Sequence, residues 1–257
     1  MENKTHESIV GDQFGSQAGA YLASPVHARG EDLDRLARLV GTRPAARALD
    51  LGCGGGHVAF RLAPAVGQVV ACDLSPDMLA AVAAEAVRRG LGNVATEQGL
   101  AERLPFADAR FDVVASRHSA HHWHDLEAGL REARRVLRPD GLAVFMDVVA
   151  PESVLGDTFF QTIEMLRDPS HVRDYSVREW RRAVESAGFA VRSVACHRVW
   201  LDFASWTARM RTPEDHVRAI RSLQGRAAAE IAEYFAIEAD GSFTIDTMTL
   251  EAVPTPH

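Results

Sequence analysis

A doubly wound α/β fold around a mostly parallel, seven-stranded sheet is predicted by three observations. Short apolar runs alternate with helical-period segments through residue 150, two further apolar runs follow, and a glycine cluster at 52–56 joins the first run to a helix. Leu33, Leu36, Leu39 and Val40 recur at helical spacing over 31–40, and residues 47–51 then read as a short buried strand. An apolar helix starts near His57, and 68–74 is the second strand. The next helix carries its own punctuation: Ser75 as N-cap, Pro76 at the first turn, Asp77 beside it, Arg88 and Arg89 at the far end, and Gly90 as stop.

Residues 94–98 and 111–116 supply strands three and four. A helix over 126–137, closed by Pro139-Asp140-Gly141, leads to a fifth strand at 142–149. After Pro151 a helix spans 154–166, and the capping box Ser176-x-x-Glu179 opens another over 177–187 that Gly188 ends. Strand 189–201, a long helix from Thr212-Pro213 to about Phe235, and a terminal strand at 242–253 complete the pattern. The expected organisation is one domain over 1–257. It comprises a helical lid segment (1–40), a ligand-binding core (41–150) and a C-terminal half (151–257) whose helices before the last strand can cover a site.

Composition excludes several chemistries. Of 28 basic residues only Lys4 is a lysine. A phosphate-binding loop ending in Lys-Ser/Thr, a Schiff-base lysine and a kinase-type lysine all need an interior one. The net charge of −7 offers no overall positive field for nucleic acid or anionic lipid, and no run approaches the roughly 18 apolar residues that cross a bilayer. Cys53, Cys72 and Cys196 form no CxxC pair, so neither a disulfide framework nor a zinc site is expected. With a polar start, the chain reads as a cytoplasmic protein, monomeric or homodimeric, that works on a small molecule without nucleic acid, membrane or metal.

The most specific segment is Leu49-Asp50-Leu51-Gly52-Cys53-Gly54-Gly55-Gly56-His57. In an open parallel sheet ligands bind at the carboxyl ends of the strands, and glycines there let a ligand approach the backbone. A Gly-x-Gly-x-x-Gly dinucleotide fingerprint needs glycine where His57 stands, and the acid Asp50 suits a cationic ligand better than a pyrophosphate. Asp73 closes strand two, 19 residues past Gly54, where a carboxylate can accept both hydroxyls of a ribose. Two later stretches add to these: Gln98-Gly99-Leu100-Ala101-Glu102-Arg103-Leu104-Pro105-Phe106, and Phe111-Asp112-Val113-Val114-Ala115-Ser116-Arg117-His118-Ser119-Ala120-His121-His122.

Together these motifs resemble a class I S-adenosylmethionine-dependent methyltransferase, especially the ubiquinone and menaquinone biosynthesis type; the resemblance covers residues 14–150. It implies a Rossmann-like methyltransferase fold, S-adenosylmethionine as cofactor and S-adenosylhomocysteine as product. By that resemblance Asp50, Gly52, Gly54 and Gly56 lie at the methionine end, Asp73 holds the ribose, Leu74 and Met78 line the adenine pocket, and Ala101 and Glu102 meet the adenine. Leu100 stands where the family has an aspartate. Ser116 would run along the methionine moiety, with Arg117 meeting its carboxylate, and Tyr21, from Phe14-x-x-x-Ala18-x-x-Tyr21, would close over the sulfonium. His118, His121 and His122 are the candidate general bases, because imidazole titrates near neutrality; packing of their own loop is the competing reading. Arginines among the aromatics of the C-terminal helices, Arg209, Arg211, Arg218 and Arg221, suggest an anionic or planar acceptor. An NAD-dependent oxidoreductase and a non-catalytic S-adenosylmethionine-binding module remain as alternatives.

Overall fold

A computed structural model describes residues 4–15 and 30–256. Among these residues the strands are β1 (Arg43–Leu51), β2 (Val66–Asp73), β3 (Val94–Gln98), β4 (Phe111–Arg117), β5 (Leu137–Val149), β6 (Phe189–Leu201) and β7 (Phe243–Pro254). The helices are α1 (His6–Gly15), α2 (Glu31–Val40), α3 (His57–Leu62), α4 (Pro76–Arg88), α5 (Leu126–Val136), α6 (Val154–Arg167), α7 (Val177–Ser186), α8 (Phe203–Arg209), α9 (Glu214–Gln224) and α10 (Ala229–Tyr234). The strands form one seven-stranded sheet in the order β3-β2-β1-β4-β5-β7-β6. Strands β1 to β5 pair in parallel, and β7 runs antiparallel to both β5 and β6.

Period-two alternation divides the strand side chains between two layers. In β5, Ala143 and Phe145 face α5 and α7, where Leu130, Ala133, Trp180 and Val184 pack; Leu142, Val144 and Met146 face the layer of Leu33, Leu36, Phe60 and Val82 from α2, α3 and α4. A third cluster, built from Phe160, Ile163, Phe203, Trp206, Ile220, Ile231, Phe235, Phe243 and Ile245, welds α6, α8, α9 and α10 to one end of β7.

Local signals act as expected at the caps. The Ser75 hydroxyl accepts from the Met78 amide, and Ser176 and Glu179 close a complete capping box. Four boundaries differ from expectation. Strand β1 starts at Arg43 rather than 47, because its first residues are largely exposed and carry no apolar signal. Pro139-Asp140-Gly141 does not separate a helix from a strand but lies within β5, where the register against β4 jumps from Phe111↔Leu137 to Val113↔Leu142. The long helix expected to reach Phe235 breaks at Gly225 into α9 and α10. Helix α8, capped by Asp202 accepting from the Ser205 amide, was not anticipated.

Candidate functional site

The turn after β1 is shaped by three glycines in the left-handed region, Gly52 (φ 67), Gly54 (φ 46) and Gly56 (φ 74), each for a different reason. A Cβ on Gly52 would strike the Ser119 hydroxyl, and one on Gly56 would meet Val82 and Phe60. A Cβ on Gly54 would meet nothing within 4 Å, since this residue borders a cavity of about 400 Å³ at the carboxyl ends of the strands. The turn geometry and the room for a ligand therefore coexist in one loop.

Asp73 ends β2 beside that loop. Its carboxylate accepts the Gly54 amide at 2.8 Å and the Ser75 amide at 2.9 Å, so it fastens the glycine turn to the start of α4 while facing the cavity. Asp50 is 1 % exposed, accepts the Ala59 amide of α3 at 2.9 Å, and also borders the cavity; burial pushes its pKa up to about 7. Leu74, Met78, Leu100, Ala101 and Glu102 form the opposite wall. Glu102 also accepts the amide of Asp125, which caps α5. Ser116 does not join this wall: it is buried in β4, its hydroxyl has no hydrogen-bond partner, and it borders neither cavity described here. Tyr21 lies outside the described residues.

A second cavity of about 370 Å³ adjoins the first, and Phe14, Arg117, His118 and His122 border both. The Arg117 Nε donates to Asp32 of α2 at 2.5 Å, so the carboxylate it meets here belongs to the protein. His118 follows β4 with φ 49, held by its amide donating to the Met146 carbonyl at 2.8 Å. Left-handed backbone at a side chain with a Cβ costs about 1 kcal/mol, and strain of this kind gathers at functional sites. Its two ring nitrogens lie 3.9 Å from Asp32 and Asp147.

The three histidines differ in charge. Burial lowers His121, but the Asp147 carboxylate, accepting from its Nδ1 at 2.7 Å, outweighs that and raises it to about 9. Burial and the charge of His121 push His122, whose Nδ1 donates to the Ser170 carbonyl at 3.1 Å, down to about 3. Burial likewise lowers His118. His121 is thus an imidazolium at neutral pH, while His118 and His122 keep a lone pair. Asp147, which also accepts the Ala120 amide, carries this arrangement: burial would raise it, but His121 and His118 hold it well below the usual carboxylate range. The legible signal for Asp147 was an acid ending the apolar run Val144-Phe145-Met146.

The second cavity carries Val148, Leu201, Trp206, Met210 and Ile245 on its apolar side. On its polar side lie Glu164, Arg167, Asp168 and Asp174. Arg167 pairs with Glu164 at 3.0 Å and stacks on Trp206. Of the four arginines expected near an acceptor, only Arg209 borders this cavity; Arg221 stacks on Phe203 and Arg218 pairs with Glu214 at the surface. A wall of mixed charge does not select an anion. Trp200 is 55 % exposed, unlike the core aromatics Trp180 and Trp206.

Comparison with known proteins places the motifs in context. Residues 49–145 match a family profile described as a methyltransferase domain. The uncharacterized protein YafE of Escherichia coli K12 is 48% identical over 197 residues, covering 77% of this chain and 95% of that one. The uncharacterized methyltransferase YcgJ of Bacillus subtilis is 34% identical over 224 residues, covering 87% and 88%. The crystal structure of that protein superimposes with a TM-score of 0.85, covering 88% of this chain and 99% of it, at 31% identity. A demethylmenaquinone methyltransferase of Chlorobaculum parvum is 36% identical over 106 residues, 41% of this chain and 42% of its own.

Proposed function

The chain belongs to the S-adenosylmethionine-dependent methyltransferase family, and from that premise we propose that the larger of these two adjoining cavities holds the cofactor and the other a small-molecule acceptor methylated on a hydroxyl. When bound, S-adenosylmethionine supplies a methyl group already activated on a sulfonium. One observation carries the reading: Phe14, Arg117, His118 and His122 border both cavities, so a donor and an acceptor meet across them.

The residues of the larger cavity fit the cofactor. Gly54 leaves open the space a side chain would fill, Asp73 turns a carboxylate towards a ribose, and Leu74, Met78 and Ala101 offer an apolar slot for a purine. Glu102 borders the same slot, and Asp50 with the Gly52 to Gly56 turn stands at the other end.

His118 is the proton acceptor in this reading. It faces both cavities and is neutral at working pH, so its lone pair can take a hydroxyl proton. His121, positively charged against Asp147, stabilises the oxyanion that proton loss leaves. His122, with its Nδ1–H spent on Ser170, packs between Phe14 and His121 and shapes the shared wall. Positioning supplies much of the remainder, since the methyl group needs no further activation.

The test is a release assay for S-adenosylhomocysteine over small phenols and alcohols, with calorimetric titration of S-adenosylmethionine, S-adenosylhomocysteine and NAD. Turnover of a hydroxylated acceptor is expected, with kcat lowered about 100-fold in His118→Asn, which tolerates the left-handed backbone, and S-adenosylhomocysteine affinity retained. Full activity of that variant would remove His118 from the chemistry.

A further inference from the structure

Among the acidic groups bordering the second cavity, Asp174 stands apart. Glu164 is paired with Arg167, Asp168 accepts from the Ser170 amide and hydroxyl, and Asp32 is paired with Arg117. Asp174 is 2 % exposed, yet its Oδ2 has no hydrogen-bond partner. His171 Nε2 is 3.8 Å away, but its ring is neutral and faces the Gln161 Oε1 at 3.0 Å instead. The side chain is not needed to hold its own segment either. Gln161 grips the Asp174 backbone on both sides, its Oε1 accepting from the amide at 3.1 Å and its Nε2 donating to the carbonyl at 2.6 Å.

A buried acceptor atom without a donor is costly and is disfavoured in folded proteins unless something else completes it. Asp174 borders the cavity that Val148, Leu201, Trp206, Met210 and Ile245 line with apolar surface. We infer that Asp174 is the acceptor's anchor, and that the acceptor is a small, largely apolar molecule bearing a second hydrogen-bond donor, a hydroxyl or an amine, besides the group that is methylated. This rests on the second cavity being the acceptor site. An apolar body fills the Trp206 side, and the donor pairs with the Asp174 carboxyl group; a molecule lacking the donor leaves that group buried and unpaired, which is the situation in which sites discriminate most strongly.

The probes are catechol, 2-aminophenol and phenol, with 2,3-dihydroxynaphthalene, 3-amino-2-naphthol and 2-naphthol as larger counterparts. Release of S-adenosylhomocysteine is read for the full chain and for Asp174→Leu and Asp174→Asn. The donor-bearing members of at least one series are expected to exceed the donor-free member by roughly tenfold in kcat/KM, through KM. Asp174→Leu should bring that ratio to about unity, Asp174→Asn should fall between, and the Leu variant should melt no lower than the parent because it removes an unsatisfied group. Catechol against 2-aminophenol tells hydroxyl from amine. No preference in the parent, silence on all six included, overturns the inference, as does a preference that survives Asp174→Leu. If Asp174→Leu fails to fold, Asp174→Asn decides, an unchanged preference overturning it. Calorimetry with S-adenosylhomocysteine separates the two levels: binding without discrimination sinks the Asp174 assignment alone, whereas no binding sinks the cofactor reading beneath it.

Discussion

The two cavities are walled by different materials. The first is organised around main chain from one contiguous stretch: the left-handed turn from Gly52 to Gly56, fastened by a carboxylate that grips two amides, with side chains of nearby loops closing it. The second is largely side chain, contributed by α2, β5, α6, α8 and β7 from distant parts of the sequence. Backbone cradles tolerate few residue types and so fix a ligand shared by many relatives. A wall of side chains can be rewritten without disturbing the sheet, so on the proposed assignment acceptor choice resides in the second cavity.

The strongest break in that contrast is Gly54→Val. Nothing crowds a side chain there, so the free protein should lose only about 1–2 kcal/mol to left-handed strain, while S-adenosylhomocysteine affinity falls more than about 100-fold by calorimetry. Retained affinity would show that the open space beside the turn is not the cofactor's.

Next in size is Asp147→Asn, which attacks the side-chain wall. Removing one partner of a buried ion pair costs about 3–5 kcal/mol, read by denaturant unfolding. The pH dependence is specific. His121 holds its proton in the folded state to about pH 9 against an ordinary 6.5, so its stabilisation is complete below about 6.5 and is lost as pH climbs through 9. His122 and His171 are held low, at about 3 and about 2, so they remove stability as pH falls below about 6.5. Asp147→Asn should flatten the alkaline limb, where His121 loses its proton, and also remove the loss of stability at low pH that the depressed Asp147 carboxyl contributes; an unaltered alkaline limb would assign that fall to other groups.

Asp73→Asn keeps the shape of the fastening to Gly54 and Ser75 but weakens a charged acceptor to a neutral one. S-adenosylhomocysteine binding should drop about tenfold, with a small loss of melting temperature. The smallest effect runs the other way. Leu100 borders the first cavity where the sequence resemblance implies an aspartate, so Leu100→Asp should tighten S-adenosylhomocysteine binding by a few-fold, on the order of one added hydrogen bond. Weaker binding would mean the apolar slot has adapted to leucine.

The same division decides what could be read from sequence. The wall of the first cavity is written in contiguous stretches, so Asp50, Asp73, Met78 and Ala101 could each be placed against the cavity they border. The capping box at Ser176 is likewise local and was legible. The wall of the second cavity depends on residues that meet only after the sheet has formed: Asp32 on Arg117, Asp147 on His121, and Asp174 on the same cavity as Trp206. No periodicity links them. Ser116 borders neither cavity, because strand residues alternate faces and its hydroxyl is buried. The Gly225 break and the Pro139-Asp140-Gly141 segment show the same limit, since in each case tertiary contacts decided between two locally acceptable conformations.

Phe14, Arg117, His118 and His122 face two chambers at once, and this has a thermodynamic consequence. Any reorientation of those side chains on filling one chamber alters the affinity of the other, and linkage requires the effect to be equal in both directions. Whatever the bound cofactor adds to acceptor affinity, the bound acceptor adds to cofactor affinity.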